Sequence, residues 1–166
     1  DPRFHNTAIF PIFDLYNRVV GVSARTLIQG PLKYVNTIYP KTQHLYGLSV
    51  TWQECLKQNK VYIVEGNVDV LRLYQSGIRN VVGMLGSMLK EYQLILLSRF
   101  VENVVVVPDG DEAGRKNLEK INNNQIFKEK LDLNVSTVSL PANYDPDTFL
   151  LSHSAEDFYQ LEQRTN

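Results

Sequence analysis

Several carboxylates in this sequence stand where an apolar run or a loop ends, and their spacing suits chemistry on phosphates. Glu65 follows Val61-Tyr62-Ile63-Val64, Asp109 and Asp111 flank Gly110 after Val104-Val105-Val106-Val107-Pro108, and Asp145 and Asp147 flank Pro146. Asp69 lies one helical turn beyond Glu65, on the same side, if a helix starts directly after it. A cluster of like charges is costly unless cations or protons relieve it. Oxygen donors with no His or Cys beside them favour magnesium or manganese over zinc, and such ions commonly serve phosphate chemistry. Each motif also has a plain structural reading: Asp-Gly-Asp is a turn followed by a helix cap, and Asp145 caps a helix with Pro146 in its first position. The two readings are compatible, because a capping aspartate keeps a second oxygen for an ion.

The elements that must position these groups follow from periodicity. Residues 8–13 and 18–24 are β-like runs separated by Asp14-Leu15-Tyr16-Asn17, which predicts a hairpin. Residues 29–44 carry proline, glycine and polar residues without sustained period and read as an ordered loop. Thr51 caps a predicted helix to about Gln58, and strand 60–64 stops at Glu65-Gly66. Val68, Leu71, Leu73 and Tyr74 predict a helix closed by Gly77, followed by a short strand at 80–82 and a helix over 87–99. The four-valine run without polar alternation predicts a central parallel strand covered on both faces. A helix over 112–122, a strand over 133–138 and a helical segment over 145–163 with a break at 152–155 complete the pattern. Strands alternating with helices give an α/β fold with a mostly parallel sheet, and ligands of such sheets sit beyond the carboxyl ends of the strands. Gly66 and Gly110 are expected to let the chain turn sharply there.

Composition bounds the classes. Hydrophobic residues at 43% and charged residues at 21%, with 9 Gly and 7 Pro, exclude disorder and collagen-like sequence. The net charge of −1 carries no overall nucleic-acid signature, yet residues 1–50 hold five basic and two acidic side chains while 101–166 hold six and twelve. Cys55 alone excludes an internal disulfide framework, and it reads as a half-buried helix position. No apolar run reaches the roughly 18 residues that span a bilayer, and the start lacks the form of a signal peptide, so the expected location is the cytoplasm. The first residue is not Met, which makes a piece of a longer protein the expectation. His5, His44 and His153 have no metal-ligand spacing, the tyrosines read mainly as packing residues, and no Walker loop is present.

VEGNVDVL, PDGDEAGRK and LPANYDPDTFL, in that order, resemble the Toprim fold of DnaG-type replicative primases. FPIFDLYNRVVGVSAR, GPLKYVN and the run from Lys41 to LYGL resemble the basic region that precedes it in the same catalytic core. The carboxylate motifs alone would also fit topoisomerases, recombination mediators and Toprim nucleases; PLKY, LYGL and DPD point to primase. The resemblance implies a Toprim-type, Rossmann-like parallel sheet flanked by helices and preceded by a small N-terminal β element, with a basic β-rich subregion over 1–50 and a Toprim domain with a C-terminal helical segment over 51–166.

By resemblance, Glu65, Asp109 and Asp111 are catalytic and, with Asp69, Asp145 and Asp147, hold Mg2+ or Mn2+, while Arg25, Lys33 and Lys41 face nucleotide phosphates or nucleic-acid strands. Gly114 and Arg115 match the helix after Asp-Gly-Asp, where a small residue permits close packing. The implied activity is template-directed synthesis of short RNA primers, a nucleotidyltransferase reaction. The implied partners are a single-stranded DNA template, ribonucleoside triphosphates and a replicative helicase reached through regions outside this chain; none is a membrane. Ser23 and Ala24 stand where the family has two glycines, Ser87 where it has threonine, and Lys90 where a smaller residue is usual. These departures suggest a divergent member, such as a phage or other mobile element carries. The rival readings are a Toprim nuclease using the same carboxylates and a non-catalytic nucleic-acid-binding module.

Overall fold

The aromatic and β-branched runs near the amino terminus pair as a hairpin, strand β1 (Thr7–Phe13) antiparallel to β2 (Val19–Thr26). Asp14 builds the turn: one carboxylate oxygen accepts the backbone N–H groups of Tyr16 and Arg18 at 2.9 and 3.0 Å, and the other accepts Arg18 Nε at 2.7 Å. The computed structural model describes residues 2–28, 33–86, 88–112, 114, 116 and 131–165. Within the segment expected to be a loop it contains a third strand, β3 (Tyr34–Asn36), paired antiparallel with β2 through Arg25↔Tyr34 and Ser23↔Asn36. Three residues are too few to show a period, so pairing rather than pattern makes this strand.

A parallel sheet of order β5-β4-β6-β7 forms the second part: β4 (Lys60–Val64), β5 (Val81–Gly83), β6 (Asn103–Val106) and β7 (Asn134–Thr137). The valine run is central, as its composition requires, and its side chains divide between two cores. Val61, Ile63, Val104 and Val106 pack with Leu48, Cys55, Leu94 and Leu97 from helices α1 (Leu48–Gln58) and α3 (Glu91–Leu97). Tyr62, Val64 and Val105 face the other way, against helices α2 (Asn67–Gln75), α4 (Pro146–Ser152) and α5 (Ala155–Thr165), which supply Leu73, Phe149 and Phe158. Each such aliphatic side chain contributes about 1.5–3 kcal/mol by leaving water. Glu162 fastens α5 to the sheet by accepting Tyr62 Oη at 2.5 Å and pairing with Lys60 Nζ at 2.9 Å.

Two helices begin elsewhere than the sequence suggests. The cap of α1 is Gly47 at φ +85°, and Thr51 is buried inside the helix, where its side chain meets the Cys55 thiol. Burial pushes that thiol up to about 11, consistent with a packing cysteine. Helix α3 starts after Lys90, whose N–H donates to Gln93 Oε1 at 3.0 Å. Gln93 is buried, and its amide donates to the carbonyls of Met84 at 2.7 Å and His44 at 2.9 Å, so capping and tertiary bonds together set this start. The helix expected over 112–122 lies mostly outside the described residues, as do Ser87 and Arg115.

The two sheets are joined at one point that matters for function. Tyr46 pairs with Gly83, exchanging two backbone bonds of 2.9 Å, so the segment leaving the antiparallel sheet is stitched to the carboxyl end of β5. This brings one face of β2 and β3 over the mouth of the parallel sheet.

Candidate active site

Strands β4 and β6 are neighbours, with Ile63 opposite Val106, and the ladder runs on through Val107 N–H to Ile63 O at 2.8 Å. Glu65 and Asp109 therefore leave the sheet side by side, as the strand-end argument requires. Asp69 then turns back toward the strand end: one of its oxygens accepts Gly66 N–H at 3.0 Å and the other accepts Asp147 N–H at 3.2 Å. Gly66 is extended, at φ −102° and ψ 156°, so no turn demands a glycine. A Cβ there would instead stand 2.5 Å from Asp69 Oδ2, and the residue is small because a carboxylate lies against it. Gly110, also without a positive φ, has the same kind of reason: a Cβ would stand 2.3 Å from Pro141 O and 2.8 Å from Tyr144 O. Backbone bonds from Gly110 N–H to Tyr144 O at 2.7 Å and from Asn143 N–H to Gly110 O at 3.3 Å join the Asp109 turn to the loop before α4.

That loop ends in Asp145, which caps α4 by accepting Thr148 N–H at 2.7 Å, with Pro146 in the first turn. Asp147 follows, paired through Oδ1 with Arg72 Nε of α2 at 2.6 Å. A cavity of about 560 Å³ opens between the two sheets. Glu65, Asp69, Asp109, Asp145 and Asp147 line one side, and Ser23, Arg25, Lys33, Tyr34, Asn36 and Lys41 the other. Asp111 does not line it; its Oδ1 accepts Gly114 N–H at 2.7 Å, the helix-cap role that its motif also allowed. Gly114 permits close approach, since a Cβ would stand 2.0 Å from Asp109 O.

The electrostatics divide the site into two walls. Burial, then the charges of Asp109 and Asp145, pushes the Asp69 carboxyl up to about 7. Burial, then Asp145 and Asp111, pushes Asp109 up to about 6. Asp109 Oδ1 is buried without a hydrogen-bond partner among the described residues, an arrangement that leaves a hard acceptor for which those residues supply no counterpart. Among the described residues the acidic groups are spread around the cavity rather than gathered three at a time about one point.

On the opposite wall Arg25 lies over the Tyr34 ring, 5.9 Å from its centroid, and Lys41 over Tyr39 at 5.8 Å. Of the two residues that replace the family's glycines, Ser23 lines the cavity at 3% exposure, while Ala24 does not line it. The sequence reading singles out neither Asn36 nor Arg72; it marks Ser23 only as a departure from the family's glycines and Tyr34 only among tyrosines that mainly pack. A signal existed only for Arg72, which stands three residues after Asp69 on the same helical face.

The sequence model of the Toprim-like family matches residues 62–150, and that described as DNA primase catalytic core, N-terminal domain, matches 2–51. The DNA primase of Synechococcus elongatus is 35% identical over 170 residues, covering 98% of this chain and 24% of that protein. The crystal structure of the Aquifex aeolicus primase zinc-binding and RNA polymerase domains aligns with a TM-score of 0.88 at 33% identity, over 99% of this chain and 41% of that one. The structure of a DnaG primase catalytic domain bound to ssDNA aligns with a TM-score of 0.87 at 32% identity, over 98% of this chain and 52% of that one. The chain thus spans about a quarter of the length of the Synechococcus relative. With an acid-rimmed parallel sheet on one side, a basic antiparallel sheet on the other and matches that run through both, the chain belongs to the Toprim-like family, among the DnaG-type DNA primase catalytic cores.

Proposed function

We propose that this chain is the cation-holding and phosphate-holding part of a primase core that makes short RNA primers on single-stranded DNA. The observation that carries the reading is Asp109, whose buried Oδ1 has no hydrogen-bond partner among the described residues, lining one cavity with Arg25, Lys33 and Lys41. The donor set is all oxygen, which suits a hard divalent ion such as Mg2+ or Mn2+. Glu65 and Asp109 would hold it, with Asp111 offering the oxygen that its helix cap leaves over and Asp69, Asp145 and Asp147 completing the acidic wall. A bound ion lowers the pKa of an attacking hydroxyl and neutralises charge at phosphorus.

The chain's own side chains supply the rest. Arg25, Lys33 and Lys41 hold phosphates electrostatically. Glu65, at the strand end, takes the proton of the attacking 3′-hydroxyl or acts as a ligand. The hydroxyl attacks the α-phosphate of a ribonucleoside triphosphate, and pyrophosphate leaves. The ssDNA bound by a similar primase domain supports a single-stranded template, and a replicative helicase would be met through regions outside this chain. The separate family matches over 2–51 and 62–150 support a basic β-rich subregion over 1–50 and a Toprim domain over 51–166.

The test is primer synthesis by this chain together with the rest of its core, on a single-stranded template with ribonucleoside triphosphates and Mg2+ or Mn2+. Short RNA is expected, and Glu65→Gln should abolish it. DNA cleavage without ribonucleotide incorporation, stopped by the same substitution, would replace primase by nuclease.

A further inference from the structure

We infer that Arg72 serves as a built-in counter-cation for Asp147, taking one of its oxygens and part of its charge, so that the Asp145–Asp147 corner binds a divalent ion more weakly than its carboxylates alone would. The inference rests on the reading of the cavity as a divalent-cation site. Arg72 Nε meets Asp147 Oδ1 at 2.6 Å, with the two side chains 27% and 23% exposed, so solvent screens the pair only in part. Asp69, Asp109 and Asp145 have no ion-pair partner of this kind among the described residues. Arg72 does not line the cavity; it approaches Asp147 from α2 and takes up one acceptor site of Oδ1.

The backbone of Asp147 is held by its place in the first turn of α4 and by its N–H bond to Asp69 Oδ1 at 3.2 Å, and Arg72 meets its carboxylate. What Arg72 adds is a positive charge next to an acidic wall that also includes Asp69, Asp109 and Asp145. A charge so placed repels an incoming cation and lowers the number of ions the wall retains.

Calorimetric titration with Mn2+ at fixed pH and ionic strength, alongside thermal melts in chelator, tests this. Arg72→Gln should bind Mn2+ about threefold more tightly or better, since it removes the charge and keeps a donor, whereas Arg72→Lys should stay within about twofold of the parent. Asp147→Asn should weaken binding by leaving Arg72 unpaired, and Arg72→Gln in that background should recover most of the loss, a coupling that a double-mutant cycle isolates. If Arg72→Gln leaves affinity unchanged or weakens it, or if Arg72→Lys tightens it equally, the pair is a structural clip and the inference is wrong. Failure of the double variant to recover affinity would overturn it too, even were the single Arg72 variant poorly folded. No Mn2+ binding by the parent chain would overturn the cation-site reading and this inference with it.

Discussion

The antiparallel and parallel sheets keep their side chains from water to very different degrees. In β4 and β6 nearly every residue is buried from both sides, and the carboxylates emerge from strands whose positions the two cores hold. In β1 and β2 one face leaves Ile9 at 50% exposure and Val19 at 57%, and of the cations that line the cavity Arg25 stands on β2, Lys33 just before β3 and Lys41 in a short helical turn after it. Cation ligands tolerate small errors in position poorly, because their bonds are short and directional, and they come from the stiff sheet. Phosphate-holding charges act over longer distances and tolerate a looser mount.

Breaking the stiff side should have the largest effect. Ile63→Ala, in a core strand, is expected to cost about 2–5 kcal/mol in denaturant unfolding, whereas Ile9→Ala, on the exposed face, should fall within about 0.5 kcal/mol. Equal losses would remove the contrast between the sheets.

A smaller effect sharpens the acidic side. Asp69 and Asp109 bind protons more tightly when folded, so the metal-free chain gains stability from them below about pH 4 and loses it as pH rises through about 6 and then 7. Thermal melts in chelator should therefore fall across that window, and Mn2+ should reverse the fall. Asp109→Asn should weaken Mn2+ binding while raising the metal-free melting temperature by about 2–4 °C at neutral pH, equivalent to roughly 1 kcal/mol of relieved repulsion. An unchanged Mn2+ affinity would remove Asp109 from the ligand set.

The smallest effect sharpens the basic side. Lys33→Ala or Lys41→Ala should leave the fold intact and lower the slope of log K against log salt for single-stranded DNA by about 0.7 each, the signature of one lost phosphate contact. A double variant that binds with the parent slope would make both lysines ordinary surface charges.

Legibility from sequence followed the same division. The valine run announced a central strand because burial on both faces leaves no polar alternation, whereas the neighbourhood of Glu65 and Asp109 depended on the strand order β5-β4-β6-β7, which another βα unit between them left open in the sequence. Asp145 was legible as a cap because Pro146 stands where a first turn accepts it. β3 was not legible, since three residues carry no period. The start of α1 was missed because a left-handed Gly47 and a buried Thr51 exchange the roles that their types suggest. Gly66 was read as a turn residue, but its smallness serves the Asp69 carboxylate, a contact between residues whose approach no local pattern records. The Arg72–Asp147 pair joins positions 75 residues apart and depended on α2 packing against α4.

The backbone seam at Gly110 sets a length. Because its N–H and carbonyl are bonded to Tyr144 and Asn143, with no room for a side chain between the strands of the seam, the stretch from Val138 to Asp145 has one workable residue count. An insertion or deletion there would slide Asp145 and Asp147 past Asp109 by about 3.3 Å per residue, more than the tolerance of a ligand bond. Homologous chains that keep the chemistry should accordingly keep the spacing between their second and third acidic motifs within this loop, and accommodate changes in length elsewhere.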